Sequence, residues 1–174
     1  MLLSIPLSTV GEEFFSSGGV RLCDEPRTAA MRLFTIGFTQ KSAQQFFALL
    51  RQPGLRRVID VRLNNTSQLA GFAKQDDLRF FLRELLDLEY VHLPLLAPTQ
   101  TMLDAYRKLG GSWERYAADF AALLQERRIE EALQRELLDG ACLLCSEAKP
   151  QQCHRLLVAE YLNEKWGGIE IRHL

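Results

Sequence analysis

Two rhythms of apolar residues take turns along this chain. Arg32–Phe38 (RLFTIGF) is a short β-rich run that ends near Gly37. Ala43, Phe46, Phe47 and Leu50 then recur at the spacing of one helix face, with Thr39 or Ser42 as cap and Pro53-Gly54 as stop. Leu55–Val61 predicts a second strand, apolar at Val58, Ile59 and Val61, and Arg62–Gln75 a polar loop. Asp76–Asp87 predicts a helix with Leu78, Phe81, Leu82, Leu85 and Leu86 on one face. Its two leading acids suit the positive end of the helix dipole. Glu89–Leu93 is a third strand, stopped by Pro94 and Pro98.

A purely helical section follows. Thr101–Leu109 ends at Gly110-Gly111, and Ser112 caps a longer helix carrying Trp113, Tyr116, Ala117, Phe120 and Leu124 on one side. Ile129–Leu138 reads as one more helix, closed by Asp139-Gly140. Ala141–Cys145 is a fully apolar strand, Gln152–Trp166 its helix, and Ile169–His173 a last strand after Gly167-Gly168. Strands alternating with helices, two of the strands apolar throughout, predict a three-layer α/β domain. Its sheet is mostly parallel, of about five strands, with helices on both faces and a helical insertion between strands three and four. Residues 1–30 lack sustained periodicity and read as a poorly ordered N-terminal extension, to which Cys23 belongs; residues 31–174 read as one domain.

Composition narrows this picture little. Of the 174 residues, 47% are apolar and 25% charged, and the net charge is −1. That balance gives no global pull toward nucleic acid or an anionic membrane. No apolar stretch approaches the ~20 residues of a membrane span. The opening MLLSIPLSTVGEEFF lacks the basic start of a signal peptide. Cysteines at 23, 142, 145 and 153 are too sparse for a disulfide scaffold, so the expected compartment is the cytoplasm.

The chemistry gathers in ACLLCSEAKPQQCHR, residues 141–155. In a parallel sheet, ligands bind at the carboxyl ends of the strands. Asp60, Arg62, Asn64, Asn65 and Thr66 fall at the end of strand two and His92 at the end of strand three. Cys145, Ser146 and Glu147 follow strand four, and Cys153, His154 and Arg155 open the next helix. Cys153, at a helix start beside two cationic groups, is expected to be the most acidic thiol, with His154 or His92 as acid or base. It also fits a small core residue in phase with Leu156 and Leu157. Cys142 is assigned to the core. Arg62 and Arg155 are the expected anion binders, facing solvent at one edge and sharing one anion. Asp60 is either their orienting base or a strand-end cap. A metal site would draw on Cys145, Cys153, His154 and His92, but paired CxxC spacing is absent and adjacent residues on a helix point about 100° apart. The metal signal is therefore weak, no residue is assigned as a metal ligand, and the sequence names no cofactor.

From Arg32 to Leu174 the chain resembles the domain-of-unknown-function 488 family, through TIGF at 35–38, VIDVR at 58–62, YVHLPLL at 90–96, LLCSEAKPQQCHR at 143–155 and IEIRHL at 169–174. The resemblance implies a compact intracellular α/β domain with motif positions at Gly37, Asp60, Arg62, Cys145, Glu147, Cys153, His154 and Arg155, and it implies no activity. LNNTSQLAGF replaces the Pro/Ser/Arg-rich loop that follows DVR in many members. A more distant likeness to rhodanese-type sulfurtransferases implies a third activity. It is weakened because no glycine-rich cradle follows Cys145, and the Cys-x5-Arg phosphatase spacing is absent as well.

The expected function is thiol or acid–base chemistry on an anionic small molecule or nucleotide-like substrate. Cys145, Glu147, Cys153, His154 and Asp60 are the catalytic candidates, and Arg62, Arg155, Asn64, Asn65 and His92 the substrate-binding ones. The alternative is a non-enzymatic module that binds metal or nucleic acid through the same edge. Because the regular pattern begins only at Arg32, deleting residues 1–30 should leave a folded domain. An insoluble product, or a large fall in melting temperature, would contradict this.

Overall fold

A computed structural model of the chain describes residues 30–66 and 68–174; the expected extension, with Cys23, lies outside the described residues. Five strands form one sheet: β1 (Met31–Gly37), β2 (Arg57–Asp60), β3 (Glu89–His92), β4 (Ala141–Cys145) and β5 (Ile169–His173). Every neighbouring pair is parallel, in the order β3-β2-β4-β1-β5. The helices are α1 (Ala43–Leu49), α2 (Gln75–Leu86), α3 (Gln100–Arg107), α4 (Trp113–Glu126), α5 (Ile129–Ala132), α6 (Arg135–Leu138) and α7 (His154–Trp166). None is long and apolar enough to cross a membrane.

The strand period of two divides the core. Phe34, Ile36, Val58, Cys142 and Leu144 point to one face and meet Phe46, Phe47 and Leu50 of the α1 region and Leu78 and Leu82 of α2. Leu33, Ile59, Val61, Ala141, Leu143 and Cys145 point to the other, beneath Phe120 and Leu124 of α4 and Val158 and Leu162 of α7. Three layers result, as the pattern predicts. Cys142 and Cys145, an odd number of residues apart, end up on opposite faces.

Two expectations are revised. Ile129–Leu138 is two short helices, because Leu133 and Gln134 are extended between them. The break keeps both Ile129 and Leu138 fully buried, and Arg135 is free to donate to the carbonyls of Trp166 and Gly167. The polar loop after β2 contains a 3-10 turn, Gln68–Ala73, whose buried Ala73 carbonyl accepts from Arg62.

Sheet order sets where a ligand crevice opens. From β2 the chain continues outward to β3, whereas from β4 it crosses β1 to reach β5. The loops leaving the adjacent strands β2 and β4 therefore diverge, and divergence leaves a crevice at their carboxyl ends. Val61 and Cys145 stand at its two sides.

On the far side of β4, β1 ends at Gly37, in register with Cys145. The loop after β4 folds back over this residue: Thr39 N–H donates to the Ser146 carbonyl at 3.1 Å. A Cβ on Gly37 would sit 1.6 Å from the Glu147 carbonyl oxygen, a backbone atom that Arg155 also holds. Gly37→Ala should therefore cost at least about 3 kcal/mol in urea unfolding. Gly71→Ala, with nothing within 4 Å of the new atom, should stay within about 0.5 kcal/mol. A loss under about 1 kcal/mol at Gly37 would mean the loop yields freely.

Candidate functional site

Strand β4 ends by placing Cys145 beneath the crevice, and the loop returns to Cys153, the N-cap of α7. That return brings Cys145, Cys153 and His154 together: their ligating atoms all lie within 4.8 Å of one another, and all three residues are buried. Cys145 Sγ is 3.5 Å from His154 Nδ1. On the other side of the ring, Nε2 is 2.9 Å from the Val61 carbonyl. A carbonyl only accepts, so Nε2 carries its proton and Nδ1 is turned to the sulfurs. Phe120 packs edge-on against the imidazole at 5.8 Å.

The electrostatics of the cluster are unequal. Burial alone would raise the Cys145 thiol. The Cys153 S–H, the charge and hydrogen bond of His154, and the Glu147 backbone N–H outweigh burial and hold Cys145 well below the ordinary thiol value. His154 is desolvated too, yet its contacts with Cys145 and the Val61 carbonyl leave its pKa raised. Cys153 moves upward, first because it donates to Cys145 and second because it is buried. Arg155 Nη1 donates to Cys153 Sγ at 3.3 Å. Cys142 is fully buried and its thiol is pushed up by desolvation, in keeping with a core residue.

The expected pair of solvent-facing guanidiniums is not present. Arg155 is 1% exposed; its Nη1 donates to the Glu147 carbonyl at 2.6 Å, and its buried Nε has no partner. Arg62 is 6% exposed and grips Asp60 with two prongs, Nε at 2.7 Å and Nη2 at 2.6 Å. Its guanidinium also lies over the Phe38 ring. Sequence position places these residues at the right edge of the sheet. Their side chains turn inward, Arg62 to the Asp60 carboxylate and the Ala73 carbonyl and Arg155 to the Glu147 carbonyl.

Asp60 accepts from the Tyr90 hydroxyl at 2.6 Å, and Asn65 Nδ2 donates to the same hydroxyl at 3.2 Å. His92 Nε2 meets the Arg62 carbonyl at 2.9 Å. Asn64 is instead exposed and donates to Gln100. The expected residues thus fall into two groups. Cys145, Cys153, His154, Arg155 and Glu147 surround the sulfurs, while Asp60, Arg62, Asn65 and His92 form a network beside them with Tyr90. Val61 lies between and links the two.

Above the cluster is a cleft of about 420 Å³ lined by Gln40, Leu103, Tyr106, Arg107, Tyr116, Glu147, Ala148, Lys149, Gln151, Gln152, Cys153 and His154. Cys153 and His154 face it, and Cys145 is sealed behind them. Tyr106 and Tyr116 stack at 4.9 Å to form an aromatic wall. Arg107 is paired with the Glu147 carboxylate. Lys149 makes no ion pair with any described residue. Gln40 and Gln152 hold positive φ (62° and 57°), a strained conformation for side-chain-bearing residues.

The helical insertion supplies this wall, whose residues carry little functional signal in the sequence. Tyr116 shares a stripe with Phe120 and looks like core; only its place in the first turn of α4, nearest the sheet edge, sets it apart. Tyr106 and Arg107 carry no local signal, because what brings α3 over the edge is tertiary packing.

A family model described as "Domain of unknown function DUF488" matches residues 42–162. That span includes the DVR segment and the Cys145–Arg155 stretch, and it stops short of TIGF and the terminal strand. No curated protein and no solved structure matches the chain.

Asp60 is fully buried and ion-paired with Arg62. Arg62→Met should destabilise the domain by about 3–5 kcal/mol, the usual cost of stranding a buried partner. Adding Asp60→Asn should recover part of this by removing the charge while Tyr90 still donates. Chemical denaturation of the single and double variants tests it; equal losses in both would show that the charge is not the cause.

Proposed function

The chain belongs to the DUF488 family, and on that premise we propose that it is an enzyme acting on an anionic small molecule held in the cleft above Cys153 and His154. One observation carries the reading: a single cleft joins the exposed side of a buried Cys-His cluster to two cations and a tyrosine wall. Pockets that combine convergent polar groups with perturbed titratable residues are the usual seats of chemistry.

Each part of the cleft has a role in this reading. Lys149 and Arg107 attract and orient the anion. Tyr106 and Tyr116 offer flat surface for a planar portion, which favours a nucleotide-like or aromatic acid. The cluster beneath carries the reactive centre. Glu147, half exposed and close to both the cluster and Arg107, is placed to carry a proton between substrate and solvent. Asp60 and Arg62 act at a distance, by fixing the backbone on which the cluster leans. The anion-binding role first read into Arg62 and Arg155 thus passes to the cations that line the cleft.

The reading is checked by thermal melting in the presence of inorganic phosphate, nucleoside monophosphates and aromatic carboxylates. A ligand that fits should raise the melting temperature by roughly 5–10 °C at about a hundredfold excess over its Kd. The shift should shrink as salt rises. Lys149→Ala and Arg107→Ala should each remove most of it. If no anion shifts the wild type, or if both variants shift as fully as the wild type, the cleft is not an anion site.

A further inference from the structure

We infer that Cys145, Cys153 and His154 form a mononuclear site for a zinc-class divalent ion, with one coordination position open to the cleft. The inference deepens the functional reading above and rests on it only for what the open position serves.

Donor chemistry comes first. Two sulfurs and one imidazole nitrogen within 4.8 Å of one another make a soft, three-donor set. Such a set favours zinc over magnesium, calcium or manganese, which prefer oxygen. An ion about 2.3 Å from sulfur and about 2.0 Å from nitrogen, in tetrahedral geometry, holds those two atoms roughly 3.5 Å apart. Cys145 Sγ and His154 Nδ1 are 3.5 Å apart. The obstacle noted for adjacent residues on a helix does not apply, because Cys153 is the extended N-cap and only His154 is helical. The change of backbone conformation between them lets both side chains turn to the same point.

The surroundings are an independent sign. A ligating histidine almost always donates its other ring N–H to a carbonyl or carboxylate. His154 Nε2 does so to the buried Val61 carbonyl, at 2.9 Å. Arg155 Nη1 lies 3.3 Å from Cys153 Sγ, so a buried guanidinium offsets part of the charge that two thiolates would bring. On binding, the proton of Cys153 and the proton between Cys145 and Nδ1 leave through the cleft to solvent, and the ion takes their place.

Three protein donors and an open fourth position mark catalytic rather than structural zinc. Cys145 is sealed inside, whereas Cys153 and His154 line the cleft, so the open position faces Glu147 and the tyrosines. A water or an anionic group of the substrate would occupy it.

The test uses the full chain purified under reducing conditions without chelator. Elemental analysis should find about one zinc-class ion per chain. Cobalt added to chelator-treated protein should give the thiolate charge-transfer band and the visible bands of a tetrahedral site. Cys153→Ser and His154→Gln should weaken cobalt binding by more than the roughly 10–100-fold that outer-shell changes cost, while Cys142→Ser leaves it unchanged. The wild-type cobalt spectrum decides even if a variant fails to fold. Metal-free protein with no cobalt band, a band that survives in both folded variants, or a quantitative Cys145–Cys153 disulfide in place of metal overturns the inference. Metal binding without any anion response upholds it and removes the enzyme reading. An anion response in a protein that takes no metal does the reverse.

Discussion

The backbone carbonyl of Val61 is the point on which the site turns. It lies one residue past β2, and the Val61 N–H is bound to the Leu144 carbonyl of β4 at 3.1 Å. Its oxygen faces His154 Nε2 and so decides which ring nitrogen is left for the sulfurs. The residues on either side secure it. Asp60 is held by Arg62 and Tyr90, and the Arg62 carbonyl meets His92. The DVR segment therefore serves the site as a rigid backbone support more than as a set of reacting side chains.

Glu147 plays the matching part on the other side, and mostly through its backbone. Its N–H helps to hold the charge on Cys145, its carbonyl accepts from Arg155, and that carbonyl occupies the space a Gly37 side chain would need. The carboxylate points elsewhere, to Arg107 on the insertion. One residue thereby ties the sheet edge, the sulfur cluster and the helical wall together.

Much of this was legible in the sequence, for local reasons. The period of two along Ala141–Cys145 puts Cys142 and Cys145 on opposite faces of the sheet, and the strand–loop–helix pattern places Cys153 and His154 at the edge where Cys145 ends β4. Solvent exposure was not legible. Arg62 and Arg155 are long and charged, and nothing within their own segments shows that Asp60, the Ala73 carbonyl or the Glu147 carbonyl would draw them inward. The nearness of the two thiols was hidden for a related reason. A helix start and two neighbouring cations favour Cys153 on paper, but a contact between the two sulfurs depends on how the loop closes. The aromatic wall stayed hidden because Tyr106 and Tyr116 reach the cleft only once α3 and α4 pack over the edge.

The same arrangement orders events in time. Cys145, Cys153 and His154 come from one short stretch, so the newly made chain can bring their donor atoms near one another early, at little loop-closure cost. The carbonyl that orients the imidazole lies 93 residues away. It reaches the ring only after β2 has docked beside β4, which encloses α2, β3 and the whole helical insertion. Contacts of such long range form late and slowly. Until β2 and β4 dock, then, the three donors are neighbours along the chain but the imidazole has no Val61 carbonyl to orient it. Whatever meets them in that interval, an oxidant or a passing ion, acts on a chain whose histidine is not yet aimed.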